Sequence, residues 1–277
     1  MTCEREPQIN LERAATRIEE AAARGAQVVC LQELYRSWYP CQAEVNENFD
    51  LAEMVPGPST ETLGRVAARC GVAVIAPIFE RRAAGVYHNS AIVIDNQGRI
   101  AGHYRKMHIP DDPGYYEKFY FTPGDLDFVA HRTDAASLGV LICWDQWFPE
   151  GARLTALAGA QILFYPTAIG WTADLTDAVR RKFYQAWETI QRAHAIANGV
   201  FVVAVNRVGR EGAIEFWGGS FVSDPFGEVL ARASHTAEEV LVVECDLGAI
   251  EETRRNWPFL RDRRIDAYTD LTRRFRT

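Results

Sequence analysis

The stretch Leu138-Gly-Val-Leu-Ile-Cys-Trp-Asp-Gln-Trp-Phe-Pro-Glu-Gly-Ala-Arg153 limits the folds open to this chain more than any other. It begins with an uninterrupted apolar run, Leu138 to Ile142, the pattern of a strand buried on both faces. The run stops at Cys143. Pro149 then suits the first turn of a helix, Glu150 sits near its positive end, and an Ala/Leu pattern continues to Ala158. A strand of this kind needs cover on both sides, which points to a sheet layered with helices. Cys143 stands at the strand-to-helix corner, where a nucleophile can be presented beside backbone N–H groups that favour a thiolate. Taken alone, it reads equally well as a small buried hydrophobe.

The rest of the chain supplies matching elements. Ile9 to Arg24 has helical apolar spacing and stops at Gly25; Gln27 to Leu31 is a buried-type strand with Glu33 just past its end. Pro56-Gly-Pro-Ser-Thr60 opens a second helix that ends at Gly71, and Val72 to Phe79 is a strand. Asn89–Ile94 and Arg99–Arg105 flank the turn Asp95-Asn-Gln-Gly98, and Lys106 follows the second arm directly. His108 to Asp127 is a long loop of a length that usually carries function. Gln161–Tyr165, Val200–Asn206, Gly218–Ser223 and Glu239–Val243 are predicted strands, and Asp174–Ala197 a long helix. The alternation predicts a mixed-sheet α/β protein folded as a single domain over residues 1–277, with no linker between Pro7 and Leu247.

Composition excludes several classes. Net charge is −7, which disfavours nucleic acid as a partner, and Asp262, Asp266 and Asp270 interrupt the Arg-rich C-terminus. No apolar run is long enough to span a membrane and the first residues lack a signal-peptide core, so cytoplasm is the expected compartment. The six cysteines are scattered and read as free thiols; neither His nor Cys spacing supports a metal site, and no phosphate-binding glycine motif occurs. Only three of the 30 basic residues are lysine (Lys106, Lys118, Lys182), so a retained lysine suggests a need for a compact ammonium.

Glu33, Lys106 and Cys143 thus each follow a strand, where α/β proteins place their sites. Their chemistry is coherent: a thiolate attacks an electrophilic carbon, a carboxylate moves protons, and an ammonium steadies an oxyanion. Gln32-Glu-Leu34, Tyr104-Arg-Lys-Met-His-Ile-Pro110 and Leu141-Ile-Cys-Trp-Asp145 resemble the three motifs of the nitrilase (carbon–nitrogen hydrolase) superfamily, in its order and spacing. The resemblance runs from about Thr2 to the C-terminus. It extends furthest toward the N-carbamoylputrescine amidase branch, through Tyr39-Pro-Cys-Gln42, Asp111-Asp-Pro-Gly-Tyr-Tyr-Glu-Lys118, Cys143-Trp-Asp-Gln-Trp147 and Tyr165-Pro-Thr-Ala-Ile-Gly170.

The resemblance implies a four-layer αββα sandwich and a Glu33–Lys106–Cys143 triad with Glu117 as a supporting acid. It also implies a small ureido or amide substrate, no metal or organic cofactor, and a homodimer or higher homo-oligomer with a C-terminal contact tail at about residues 248–277. Two departures stand out. Members begin with a strand ahead of the position matching Thr2 and Cys3, so the N-terminal strand is expected to be missing. Gly170–Trp187 does not match the plant-like amidases. Relatives acting on N-carbamoyl-D-amino acids carry arginines where this chain has Gln146 and Trp147, so a cationic or neutral tail fits better. Asp111, Asp112, Asp145 and Glu188 are candidate acids for an ammonium, and Trp144, Trp147, Trp171 and Tyr115 candidate walls. N-carbamoylputrescine is the expected substrate; an aliphatic amidase, ω-amidase, β-ureidopropionase or idle interaction protein of the same fold are the alternatives.

Overall fold

The computed structural model describes residues 1–276. Helix α1 (Pro7–Ala23) leads to strand β1 (Val28–Cys30), helix α2 (Pro58–Cys70) and strands β2 (Ala73–Ala83), β3 (Val86–Ile94) and β4 (Ile100–Arg105). The long loop that follows carries one short helix, α3 (Glu117–Tyr120). Strands β5 (Ala130–Arg132) and β6 (Ser137–Val140) precede helix α4 (Pro149–Leu157), then strands β7 (Ile162–Thr167) and β8 (Gly170–Thr172) and the long helix α5 (Asp177–Asn198). Strands β9 (Phe201–Asn206), β10 (Val208–Glu211), β11 (Ile214–Trp217), β12 (Phe221–Ser223) and β13 (Val229–Arg232) complete the sheets before helix α6 (Gly248–Asn256).

Two main sheets face each other, one ordered β1-β2-β3-β4, the other β13-β12-β9-β7-β6-β5; β10, β11 and β8 form a small third sheet. Side-chain alternation along the strands explains the layering. On β2 and β3, Val74, Ala76, Ile78, Ile92 and Ile94 point to Leu11, Ile18, Leu63 and Val66 of α1 and α2. The intervening Ile75, Ala91 and Val93 join Leu138, Val140 and Val202 of the facing sheet. Helices α4 and α5 pack on β6, β7 and β9 and supply the fourth layer. Gly139 marks the closest approach of α4: a Cβ there would lie 2.5 Å from the Thr155 methyl. The result is the expected αββα sandwich.

Five strands escape the sequence pattern (β5, β8, β10, β11, β13), each of three or four residues and too short to show a period. One expectation is corrected. Glu239–Val243 is not a strand: it is apolar enough to be one, but none of its backbone N–H groups finds a backbone acceptor among the described residues. Residues 238–241 instead form one rim of a groove of about 160 Å³, whose other rim is β1. Residues 1–6 are irregular, and β2 is the only strand paired with β1 among the described residues. No helix among those residues is long and apolar enough to cross a membrane.

Candidate active site

Three chain corners meet where the facing sheets end. Glu33 lies just beyond β1, Lys106 directly after β4, and Cys143 just beyond β6. Two of these corners carry unusual backbone. Leu34 has φ 47° and Cys143 φ 44°, left-handed values that cost a residue with a Cβ on the order of 1–3 kcal/mol. At Cys143 this twist turns the strand into a 3-10 turn, Cys143–Trp147, which leads into α4. Near the start of that turn, the Trp144 N–H lies ahead of the first intrahelical bond and donates to no backbone acceptor among the described residues.

The side chains form one buried network. Lys106 Nζ donates to Glu33 Oε1 at 2.8 Å and to Glu117 Oε1 and Oε2 at 2.9 and 2.7 Å. Asn89 Nδ2 donates to Glu33 Oε1 at 2.8 Å and to Glu117 Oε2 at 3.3 Å, and the Tyr39 hydroxyl to Glu117 Oε1 at 2.7 Å. Glu33, Asn89, Lys106 and Glu117 are wholly buried. One carboxylate oxygen, Glu33 Oε2, has no hydrogen-bond partner among the described residues. It is a ready acceptor for a proton.

Two carboxyl groups share one ammonium, and the titrations follow from that. Burial raises the Glu117 pKa and Glu33 adds to the rise, against the opposing pull of Lys106. Burial disfavours the Lys106 ammonium, but Glu117, Glu33 and Cys143 outweigh it and hold its pKa well above the usual lysine range. The Cys143 thiol is pushed far up by burial and then by Glu33, with Lys106 opposing. Cys143 therefore rests as a neutral thiol, and needs a base in contact with it to become a nucleophile.

Cys143 opens into a cavity of about 460 Å³. Of the residues predicted from sequence, Trp144, Trp147, Asp112, Tyr115 and Glu117 line it. The others are occupied elsewhere. Asp145 is wholly buried and accepts from the Tyr104 hydroxyl and the Ile142 and His108 N–H groups, so it braces the turn that carries Cys143 from behind. Gln146 is also buried; its side chain accepts from Trp187 Nε1 at 2.8 Å, and its carbonyl meets His194 Nε2 at 2.8 Å. Glu188 is spent on Arg192 and Arg232, and Asp111 is exposed outside the cavity. Trp171 packs at a tilt against Trp217 and donates its indole N–H to the Arg180 carbonyl. Sequence pattern thus placed too many acids at the pocket, because charge alone does not reveal which way a side chain turns.

Other site residues escaped the sequence reading. Ile169, Leu175, Phe183, Ala186 and Trp217 complete the cavity wall, and Asn89 and Tyr39 bind the carboxylates. Tyr39 lies in a stretch shared with the amidase branch, which was its one available signal; Asn89 is an ordinary residue inside a strand. Among the described residues no three His, Cys, Asp or Glu side chains stand together as metal ligands.

The carbon–nitrogen hydrolase family model matches residues 4–255. An N-carbamoylputrescine amidase of Oryza sativa subsp. japonica is 44% identical over 95% of this chain and 89% of its own. A citrullinase of Francisella tularensis is 37% identical, over 96% and 93%. The crystal structure of a carbon–nitrogen hydrolase from Helicobacter pylori G27 superposes with a TM-score of 0.95 at 49% identity, covering 98% of this chain and 95% of that one. With its sandwich, its buried acid–lysine network and this likeness over nearly its whole length, the chain belongs to the carbon–nitrogen hydrolase family of the nitrilase superfamily and is a hydrolase acting on amide-type C–N bonds.

Proposed function

We propose that the protein hydrolyses N-carbamoylputrescine to putrescine, CO₂ and ammonia through a covalent intermediate on Cys143. Glu33 removes the thiol proton, and sulfur adds to the ureido carbon. Lys106 and the Trp144 N–H hold the tetrahedral oxyanion; loss of one such donor typically costs about 10²–10³ in rate. Ammonia leaves with the proton from Glu33, and the carbamoyl group stays on sulfur as a thiocarbamate. Water, deprotonated by Glu33, breaks the C–S bond, the thiol is regenerated, and the released carbamate decomposes to amine and CO₂. Glu117 and Asn89 keep Lys106 and Glu33 in register.

The observation that carries the substrate choice is the make-up of the cavity wall. Trp144, Trp147, Ile169, Leu175, Phe183 and Trp217 supply an apolar path, none of the lining residues is basic, and Asp112 is the one lining carboxylate outside the buried network. A substrate carboxylate would enter with no cation to meet it, which an apolar site penalises. A methylene chain ending in an ammonium fits: the chain packs on indole faces and the charge meets Asp112. Asp112 is exposed, so its contribution is screened and smaller than that of a buried pair.

The test is a comparison of kcat/KM for N-carbamoylputrescine, citrulline and N-carbamoyl-β-alanine, with Asp112→Asn alongside. The diamine derivative should lead by at least about tenfold, chiefly because a carboxylate tail meets no cation in the cavity, and Asp112→Asn should cut that lead by only about two- to fivefold while leaving N-butylurea unaffected. Equal or faster turnover of citrulline would overturn the reading and assign the site to ureido amino acids. The exposed Trp257, Phe259, Ile265, Leu271 and Phe275 support the further reading that the C-terminal tail joins subunits into a homo-oligomer; Thr277 at its end lies outside the described residues.

A further inference from the structure

We propose that the buried ion pair Arg207–Glu211 is a positioning device that aims both carboxylates of the site, and so sets the reactivity of Cys143 without touching substrate. It rests on the reading of Glu33 and Glu117 as working carboxylates.

Arg207 follows β9 and Glu211 ends β10; neither lines the cavity, and both are buried. Arg207 Nη1 grips both oxygens of Glu211, at 2.7 and 2.8 Å. What the guanidinium does with its other donors is the informative part. Nη2 donates to the carbonyls of Glu33 and Leu34 at 2.9 and 2.8 Å, and Nη1 also to that of Ser37 at 3.2 Å. These carbonyls belong to the corner whose Leu34 is left-handed, so the fork holds that corner from behind. A Cβ-bearing residue keeps such a conformation only where its surroundings over-determine it.

The pair reaches the second carboxylate by another route. Glu211 Oε2 accepts the Tyr39 backbone N–H at 2.6 Å, and the hydroxyl of the same tyrosine donates to Glu117 at 2.7 Å. Tyr39 is further wedged between Tyr115 and Phe216, so its hydroxyl has little freedom once its backbone is fixed. One ion pair thus fixes Glu33 through its own carbonyl and Glu117 through Tyr39. A purely structural pair would give no reason for this focus, since buried ion pairs are weak stabilisers compared with apolar packing. Arginine suits the task because its planar fork serves a carboxylate and three carbonyls at once, more partners than the three N–H donors of an ammonium can reach.

The experiment compares Arg207→Lys, Arg207→Met, Tyr39→Phe and the double variant Arg207→Lys/Tyr39→Phe with the wild-type chain. Fold is monitored by circular dichroism, Cys143 reactivity by the pH profile of iodoacetamide alkylation, and turnover by kcat and KM on the ureido panel. A misplacement of about 1 Å costs on the order of 10² in rate, so folded Arg207→Lys should lose about that in kcat with KM little changed. Its alkylation profile should shift in pH. Tyr39→Phe should lose about tenfold, and the double variant less than the product of the two losses. A folded Arg207→Lys with a lower Tm but wild-type kcat and alkylation profile would overturn the proposal and leave a structural pair. Where the Arg207 variants do not fold, Tyr39→Phe decides: a wild-type alkylation profile there overturns it equally. If the wild-type chain hydrolyses none of the panel, the reading of its substrate fails separately, and the alkylation profiles alone decide on the device.

Discussion

Replacing Lys106 by methionine should expose how the buried charges balance. Among the described residues the ammonium is the only cation bonded to the carboxylates of Glu33 and Glu117, at 2.7–2.9 Å, and all three side chains are out of water. Removing one partner of such a cluster costs about 3–5 kcal/mol, because the remaining charge is stranded. At roughly 2–4 °C per kcal/mol for a chain of this size, Tm should fall by about 6–20 °C near neutral pH. The deficit should also depend on pH, and its sign is fixed. The Glu117 pKa is already raised in the wild type by burial and by Glu33, with Lys106 opposing; in Lys106→Met that opposition is gone and the pKa rises further. The folded variant then keeps a proton that the unfolded chain releases near pH ~4.3. Its stability is full below that value and is lost as pH rises toward the folded pKa, at about 1.4 kcal/mol per unit. Melting curves at pH 5 and pH 7.5, each against wild type, should show a clearly larger gap at the higher pH. A gap that is the same at both, or no gap at all, would refute the picture of two acids sharing one lysine.

Cys143→Ala should abolish turnover while leaving the melting curve near wild type, and iodoacetamide should label Cys143 ahead of the other five thiols; activity surviving the substitution would end the nucleophile assignment. Lys106→Arg should also be inactive, since the wider planar group does not fit a site closed around an ammonium; near-normal kcat in that variant would contradict it. A strand supplied at the free β1 edge, as alternating apolar residues added ahead of Met1, should raise Tm or solubility by filling the groove between β1 and residues 238–241. No gain from any such addition would mean the sheet is complete as it stands.

Much of the proposed site was legible in the sequence. Cys143, Lys106 and Glu33 each follow an apolar run or a hairpin arm, and their order carries the family motifs. The mixed-sheet α/β class followed from buried strands alternating with amphipathic helices, and the αββα layering from the family resemblance alone. What stayed hidden was direction. Asp145 and Gln146 adjoin the nucleophile in sequence, yet the 3-10 turn aims both into the interior. Arg207 was hidden for a related reason: a basic residue next to a strand reads as solvated, and only the fold reveals three backbone carbonyls converging on it. Glu239–Val243 failed differently, since a strand needs a neighbour as well as apolar residues.

The tie between Gln146 and α5 has a consequence for how this scaffold can change its substrate. Phe183 and Ala186 of α5 wall the cavity, while Trp187 and His194 of the same helix grip the residue three positions past the nucleophile. A substitution that shifts α5 to admit a bulkier tail should therefore move the turn that carries Cys143 as well, so that selectivity and rate change together. The loop from Pro110 to Tyr115 also lines the cavity and, among the described residues, makes no hydrogen bond to Gln146; its tyrosine hydroxyl is tied to Gly170 instead. New tails are more safely accommodated there, on a margin that can vary while the chemistry beneath it stays put.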